Sequence, residues 1–87
     1  MDIVNLLALK GTRKILVSME KTGRMNYSEI VKIVGFATTT TRSLKGMEKL
    51  GIVKRQVLNE PYRPVAYSLT EKGKKLATLL RELEGLS

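Results

Sequence analysis

Residues able to do covalent chemistry are scarce in this 87-residue chain. It has no histidine and no cysteine, which removes the usual general base, the thiol nucleophile, disulfides and every Cys/His metal site. The eight acids are scattered along the chain, so a carboxylate metal site has no cluster to build on. Glu82 and Glu84, two apart on a helix, point in different directions. Gly11-Thr12-Arg13-Lys14 lacks the spacing of a phosphate loop. The sequence therefore predicts no enzyme, no cofactor and no metal. What it holds in excess is positive charge, +8 from 16 Lys and Arg against 8 Asp and Glu. From Arg42 to Lys75 nine cations face only Glu48, Glu60 and Glu71, a net +6 in 34 residues. That imbalance implies a polyanionic partner.

The stretch Phe36 to Leu69 organises that charge. A helical period that points Leu44 into a core places Thr40, Met47 and Gly51 beside it. Thr38, Thr39, Arg42, Lys45, Gly46 and Lys49 then share the outer face. Short hydroxyl side chains let a backbone approach a major groove, while Arg and Thr reach base edges and phosphates. An ordinary solvated helix face has the same composition; the segment after Gly51 decides between them. Ile52 to Val57 and Val65 to Leu69 are two β-prone arms, and Pro61 and Pro64 sit in the turn between them. Lys54 and Arg55 open the hairpin, and at least one of them is expected on phosphates. Arg63 at the tip suits a narrow minor groove, its alternative being an ion pair with Glu60. Tyr67, alternating with Val65 and Leu69, is expected in the core, and Tyr62 is ambiguous.

The rest of the chain must position this unit. Asp2 caps a short apolar helix over Ile3 to Lys10 that leaves almost no solvated face, so it packs on its own domain or on a second subunit. Thr12 is the expected N-cap of a helix from Arg13 to Thr22, with Ile15, Leu16 and Met19 inward and Gly23 as its stop. Arg24-Met25-Asn26 is a short extended link expected to pair with the hairpin's sheet. Asn26 or Ser28 caps the next helix, which runs to Val34 and buries Tyr27, Ile30, Val31 and Val34. Gly35-Phe36-Ala37 is the turn into the Thr-rich helix, with Phe36 expected to plug the core. Four consecutive threonines are poor helix formers, so tertiary packing must hold that first turn. Thr70 caps a last helix whose stripe is Leu76, Ala77, Leu79, Leu80, Leu83 and Leu86. That stripe exceeds what a small core needs, and the surplus suggests a symmetric dimer. Helix, short strand, helix, turn, helix, hairpin, helix is the winged helix-turn-helix order. The fold class is α+β and mostly helical, with a three-helix core, a β-hairpin wing and extra helices at both ends.

Gly51-Ile52-Val53-Lys54-Arg55, and then Pro61-Tyr62-Arg63-Pro64-Val65-Ala66-Tyr67-Ser68-Leu69-Thr70-Glu71-Lys72-Gly73, resemble the wing and following helix start of HxlR-type regulators in the broad MarR-like class. The likeness runs more loosely from Leu6 to Leu83. It implies transcription regulation by a homodimer that binds double-stranded DNA sequence-specifically, the recognition helix in the major groove and the wing on the minor groove. Thr38, Thr39, Arg42, Lys45, Lys49, Lys54, Arg55 and Arg63 are the expected DNA-binding residues. Residues 1–87 are expected to form one domain, with 1–10 and 74–87 contributing to dimerisation. Two rival readings are a weakly specific chromatin-type protein and a protein-interaction winged helix, the latter disfavoured by the +6 segment. Some relatives sense oxidants through an N-terminal cysteine; with none here, thiol sensing is ruled out. No apolar run has membrane-spanning length and no signal peptide is visible, so a cytoplasmic protein is expected.

Overall fold

A computed structural model of the chain describes residues 2–9, 11–59, 61 and 64–86. Its elements are α1 (Ile3–Leu7), α2 (Thr12–Thr22), β1 (Met25–Asn26), α3 (Tyr27–Val34), α4 (Ala37–Lys49), β2 (Val53–Val57), β3 (Val65–Leu69) and α5 (Glu71–Gly85). This is the winged-helix order, with α4 in the position of the recognition helix and β2–β3 as the wing. Arg63, Glu60 and Tyr62, and with them the expected choice between a minor-groove arginine and an Arg63–Glu60 pair, lie outside the described residues.

Local chemistry accounts for most boundaries. Asp2 accepts from the Asn5 N–H at 2.8 Å and starts α1, but the helix closes after Leu7, short of the expected Lys10. Asn26, rather than Ser28, caps α3: its side chain accepts from Glu29 N at 2.8 Å, and the Glu29 carboxylate accepts from Asn26 N at 2.9 Å. That reciprocal pair satisfies two otherwise unbonded N–H groups. Gly35 comes next in the left-handed region at φ 100° and turns the chain into α4. Thr12 does not cap α2. Gly11 holds the N-cap position, and Thr12 is the first helical residue, wholly buried, its hydroxyl without a partner among the described residues.

One core joins the elements. Leu6, Ile15, Leu16, Met19, Ile30, Leu44, Met47 and Ile52 are almost completely buried, with Tyr67 and Leu69 from the sheet and Ala77 and Leu80 from α5. The α1 helix therefore packs on its own domain through Leu6, with Ile3, Leu7 and Leu9 half-buried beside it. It does have an open side, since Val4 is 77% exposed. Phe36 is a correction: at 64% exposure it plugs nothing. As the extended N-cap of α4 it precedes the helical period, so its side chain is not carried inward with Thr40 and Leu44.

The sheet is antiparallel in the order β1-β3-β2. Met25 pairs with Tyr67, and Val53 through Val57 pair with Leu69 back to Val65. Leu58 N donates to Pro64 O at 2.9 Å and carries the ladder one step beyond the strands. Alternation then splits the two cations of β2. Arg55, opposite Tyr67, faces α3 and α4, and Lys54, opposite Ser68, faces α2 and α5.

Candidate nucleic-acid interface

The exposed face of α4 is narrower than its period suggested. Thr38, Arg42, Lys45 and Lys49 lie along one exposed stripe. Gly46, expected outside, is buried with Ser43, because α1 and α2 pack against that flank of α4. Thr39 is drawn toward the same flank and is half-buried, its methyl near Gly11. Gly51, expected beside Leu44, is exposed: it lies past the helix end at φ 72°, in the left-handed region.

The four threonines divide the work of the first turn. Thr40 is buried and its hydroxyl donates to Phe36 O at 2.8 Å. The Tyr27 hydroxyl donates to Ala37 O at 3.2 Å and lies 2.6 Å from Thr41 Oγ1. With the tyrosine proton on the carbonyl, the Thr41 hydroxyl donates to the tyrosine oxygen and keeps a lone pair free. Two threonines and Tyr27 thus hold a segment that propensity alone would not. Thr38 is exposed and makes no side-chain hydrogen bond among the described residues.

Ala37, Thr38, Thr41, Arg42 and Lys45 line one shallow depression. Thr41 and Lys45 also border a second, with Tyr27, Leu44, Glu48, Arg55 and Tyr67. The surface therefore runs unbroken from the N-terminal half of α4 onto β2. It unites Thr38, Arg42, Lys45 and Arg55, and Lys49 continues the stripe of α4. Thr39 stands at its edge and Lys54 on the far side of the sheet. Sequence reasoning missed Thr41, which lies one turn from Thr38 and Lys45, and it missed Glu48. That carboxylate breaks an otherwise cationic patch, and no cation lies within ion-pair distance of it among the described residues.

The first turn of α5 is hydrogen-bonded to the end of α4. The Thr70 hydroxyl donates to Gly51 O and lies 3.1 Å from Ile52 O, Thr70 N donates to Ile52 O at 3.0 Å, and Lys72 Nζ donates to Leu50 O at 2.7 Å. The Thr70 oxygen in turn accepts from Gly73 N at 3.1 Å. A Cβ at Gly73 would fall 2.1 Å from Ile52 O, so this close approach requires glycine. Lys72 is thereby occupied in closing α4, although by charge it counted with the basic segment. Further along α5, Ala77 and Leu80 enter the core and Leu76 is half-buried, whereas Leu79, Leu83 and Leu86 are 57%, 61% and 84% exposed. The apolar stripe is thus two stripes, one inward and one outward.

Known proteins share this fold. The chain is 34% identical over 82 residues to an uncharacterized HTH-type transcriptional regulator of Methanothermobacter thermautotrophicus, covering 92% of this chain and 62% of that one. A second uncharacterized HTH-type transcriptional regulator, YvaP of Bacillus subtilis, is 50% identical over 40 residues, 46% of this chain and 37% of YvaP. The chain thus spans less than two thirds of the length of either curated relative. Among solved structures, the reduced form of the transcriptional regulator YodB from B. subtilis superposes with a TM-score of 0.77 at 30% identity, covering 94% of this chain and 81% of YodB. The putative transcriptional regulator ytfH from Salmonella typhimurium gives 0.82 at 21% identity, covering 97% and 76%, a likeness of fold. The HxlR-like helix-turn-helix family matches residues 6–87, nearly the whole chain. By that match this chain belongs to the HxlR-like helix-turn-helix family.

Proposed function

We propose that this protein is a DNA-binding transcriptional regulator that acts as a homodimer and reads duplex DNA sequence-specifically. The observation that carries the reading is the continuous polar and basic surface of Thr38, Thr41, Arg42 and Lys45 on the exposed side of α4 and Arg55 on the adjoining β2. In this reading α4 enters the major groove. Arg42, one turn into α4, reads a base edge, Thr38 and Thr41 approach bases or phosphates, and Lys45, Lys49 and Arg55 hold the backbone. Thr39 contributes at the margin. Arg63, in the loop between β2 and β3, supplies the minor-groove contact. Lys54 faces away from α4 and has no part in this surface. Dimerisation uses the outward stripe Leu79, Leu83 and Leu86 together with α1, whose Val4 is uncovered; a related copy of the same stripe is its natural complement.

The test is a binding measurement at matched salt with a duplex from the protein's own upstream region and a random duplex of equal length. Specific reading predicts a preference of roughly a thousandfold or more for a cognate site. Equal affinities would favour the weakly specific chromatin-type protein, and no binding to either duplex would favour a protein-interaction module. No described helix is long and apolar enough to cross a membrane.

A further inference from the structure

Three hydroxyls at the start of α4 have three different fates. Thr40 is buried and its hydroxyl donates to Phe36 O at 2.8 Å. Thr38 is exposed and makes no side-chain hydrogen bond among the described residues, so its hydroxyl turns freely and can donate or accept. Thr41 lies between these extremes. It is half-buried, it borders both depressions of the surface on α4 and β2, and its oxygen is 2.6 Å from the Tyr27 hydroxyl. The direction of that bond follows from the third partner. Ala37 O, 3.2 Å from the tyrosine oxygen, can only accept. A phenol has one proton, so both contacts are hydrogen bonds only when Tyr27 donates to Ala37 O and Thr41 donates to Tyr27. The shorter contact lies at the strong end of O–H···O bonds, which holds the Thr41 hydroxyl in one orientation. Thr41 therefore has no proton left for a ligand. What it presents to the surface is an acceptor.

An acceptor fixed on this side of α4 selects its partner by chemistry. A phosphate oxygen is itself an acceptor and offers Thr41 nothing to bind. In a major groove the donors are the amino groups, N6 of adenine and N4 of cytosine, whereas guanine and thymine present acceptors there. We propose that Thr41 reads adenine or cytosine against guanine and thymine at one position of the bound site, and that Tyr27 on α3 is the positioning residue that fixes this polarity. The assignment rests on the DNA-binding reading with α4 in the major groove, and deepens it by naming the group that is recognised. It narrows Thr41 to base contacts. Arg42, the next residue, has donors only and suits the opposite chemistry, the O6 and N7 acceptors of guanine.

The experiment selects duplexes from a random library with the wild-type chain and with Thr41→Val, Thr41→Ser, Thr38→Val and Tyr27→Phe, each checked for folding by its urea midpoint. In the wild type, one position is expected to prefer A or C on one strand. Thr41→Val keeps nearly the same shape without the hydroxyl, and should lower that preference roughly three- to tenfold, as for one hydrogen bond. The other positions should not change. Thr41→Ser retains the hydroxyl and should retain the preference, and Thr38→Val should leave that position alone. Tyr27→Phe releases the Thr41 proton, so guanine and thymine become acceptable there and the preference flattens. A purely structural role for Tyr27 would instead weaken all sequences equally, and that result would overturn the proposal. A preference that survives in Thr41→Val would assign the contact to the methyl group and overturn it as well. A wild-type chain that selects a sequence, with no position changed in the Thr41→Val and Tyr27→Phe variants, sinks this inference and leaves the DNA-binding reading standing. A wild-type chain that enriches no duplex removes both.

Discussion

Tyr27 shows how much a single side chain contributes. Its hydroxyl reaches both Ala37 O and Thr41 Oγ1, so α3 holds the first turn of α4 in place. Tyr27→Phe keeps the ring and deletes both bonds; it should cost about 1 kcal/mol of stability, read as a lower urea midpoint at an unchanged slope. The residues of the exposed stripe should divide by role. Arg42→Ala should cost about 1–3 kcal/mol on a cognate site and relax preference at one base position, whereas Lys49→Ala should weaken all duplexes about equally. A selection experiment that returns the same sequence preference for wild type and Arg42→Ala would remove Arg42 from base reading.

At the scale of elements, the start of α5 closely approaches the turn that follows α4 at Gly73 and Ile52. Gly73→Ala places a methyl against the Ile52 carbonyl, a backbone atom that cannot rotate away. The strain should destabilise the protein by about 1–3 kcal/mol. Gly85→Ala, with nothing within 4 Å of the added carbon, should be neutral or stabilise by up to about 1 kcal/mol. Thermal denaturation of the pair separates close packing from helix propensity. The outward stripe of α5 makes a different prediction. Leu79→Glu with Leu83→Glu touches only exposed positions, so the chain should stay folded and sediment as a monomer. An unchanged mass would rule out α5 as the dimer helix. Leu80→Glu is no such test, because Leu80 is 8% exposed and a carboxylate there would disturb the core itself.

For the whole molecule, charge and assembly meet in the salt dependence of binding. Each phosphate contact adds about 0.9 to the slope of log affinity against log salt. A dimer uses each contact twice, so Arg55→Ala should lower the slope by about 1.8 if Arg55 holds one phosphate per subunit. The Leu79→Glu, Leu83→Glu variant should bind with about half the wild-type slope, because only one subunit then engages the duplex. A slope unchanged in Arg55→Ala would separate the wing's base from the DNA.

The element order, the caps at Asp2 and Thr70, the inward residues of α2, and Ile30 and Val34 of α3 were legible because each is set by neighbours within a few positions. The choice of Asn26 over Ser28 as the α3 cap needed the structure, and Tyr27 and Val31 are only half-buried. Hydrophobic period, cap chemistry and glycine stops act locally, and the motif from Gly51 to Gly73 carries the family resemblance in the sequence itself. Where distant segments decided, the linear pattern was not enough. Gly46 and Ser43 are buried because α1 and α2 lie on them, and Phe36 is outside because it stands before the first helical turn. Thr12 is buried at a helix start where its type alone says cap. The leucines of α5 look like one stripe until the domain covers Leu80 and leaves Leu79, Leu83 and Leu86. Local rules fixed which elements form and which faces are basic. Which cations share a surface, Arg55 with α4 but Lys54 with Arg24 and Lys74, was decided by the strand's pleat and the packing of its two sides.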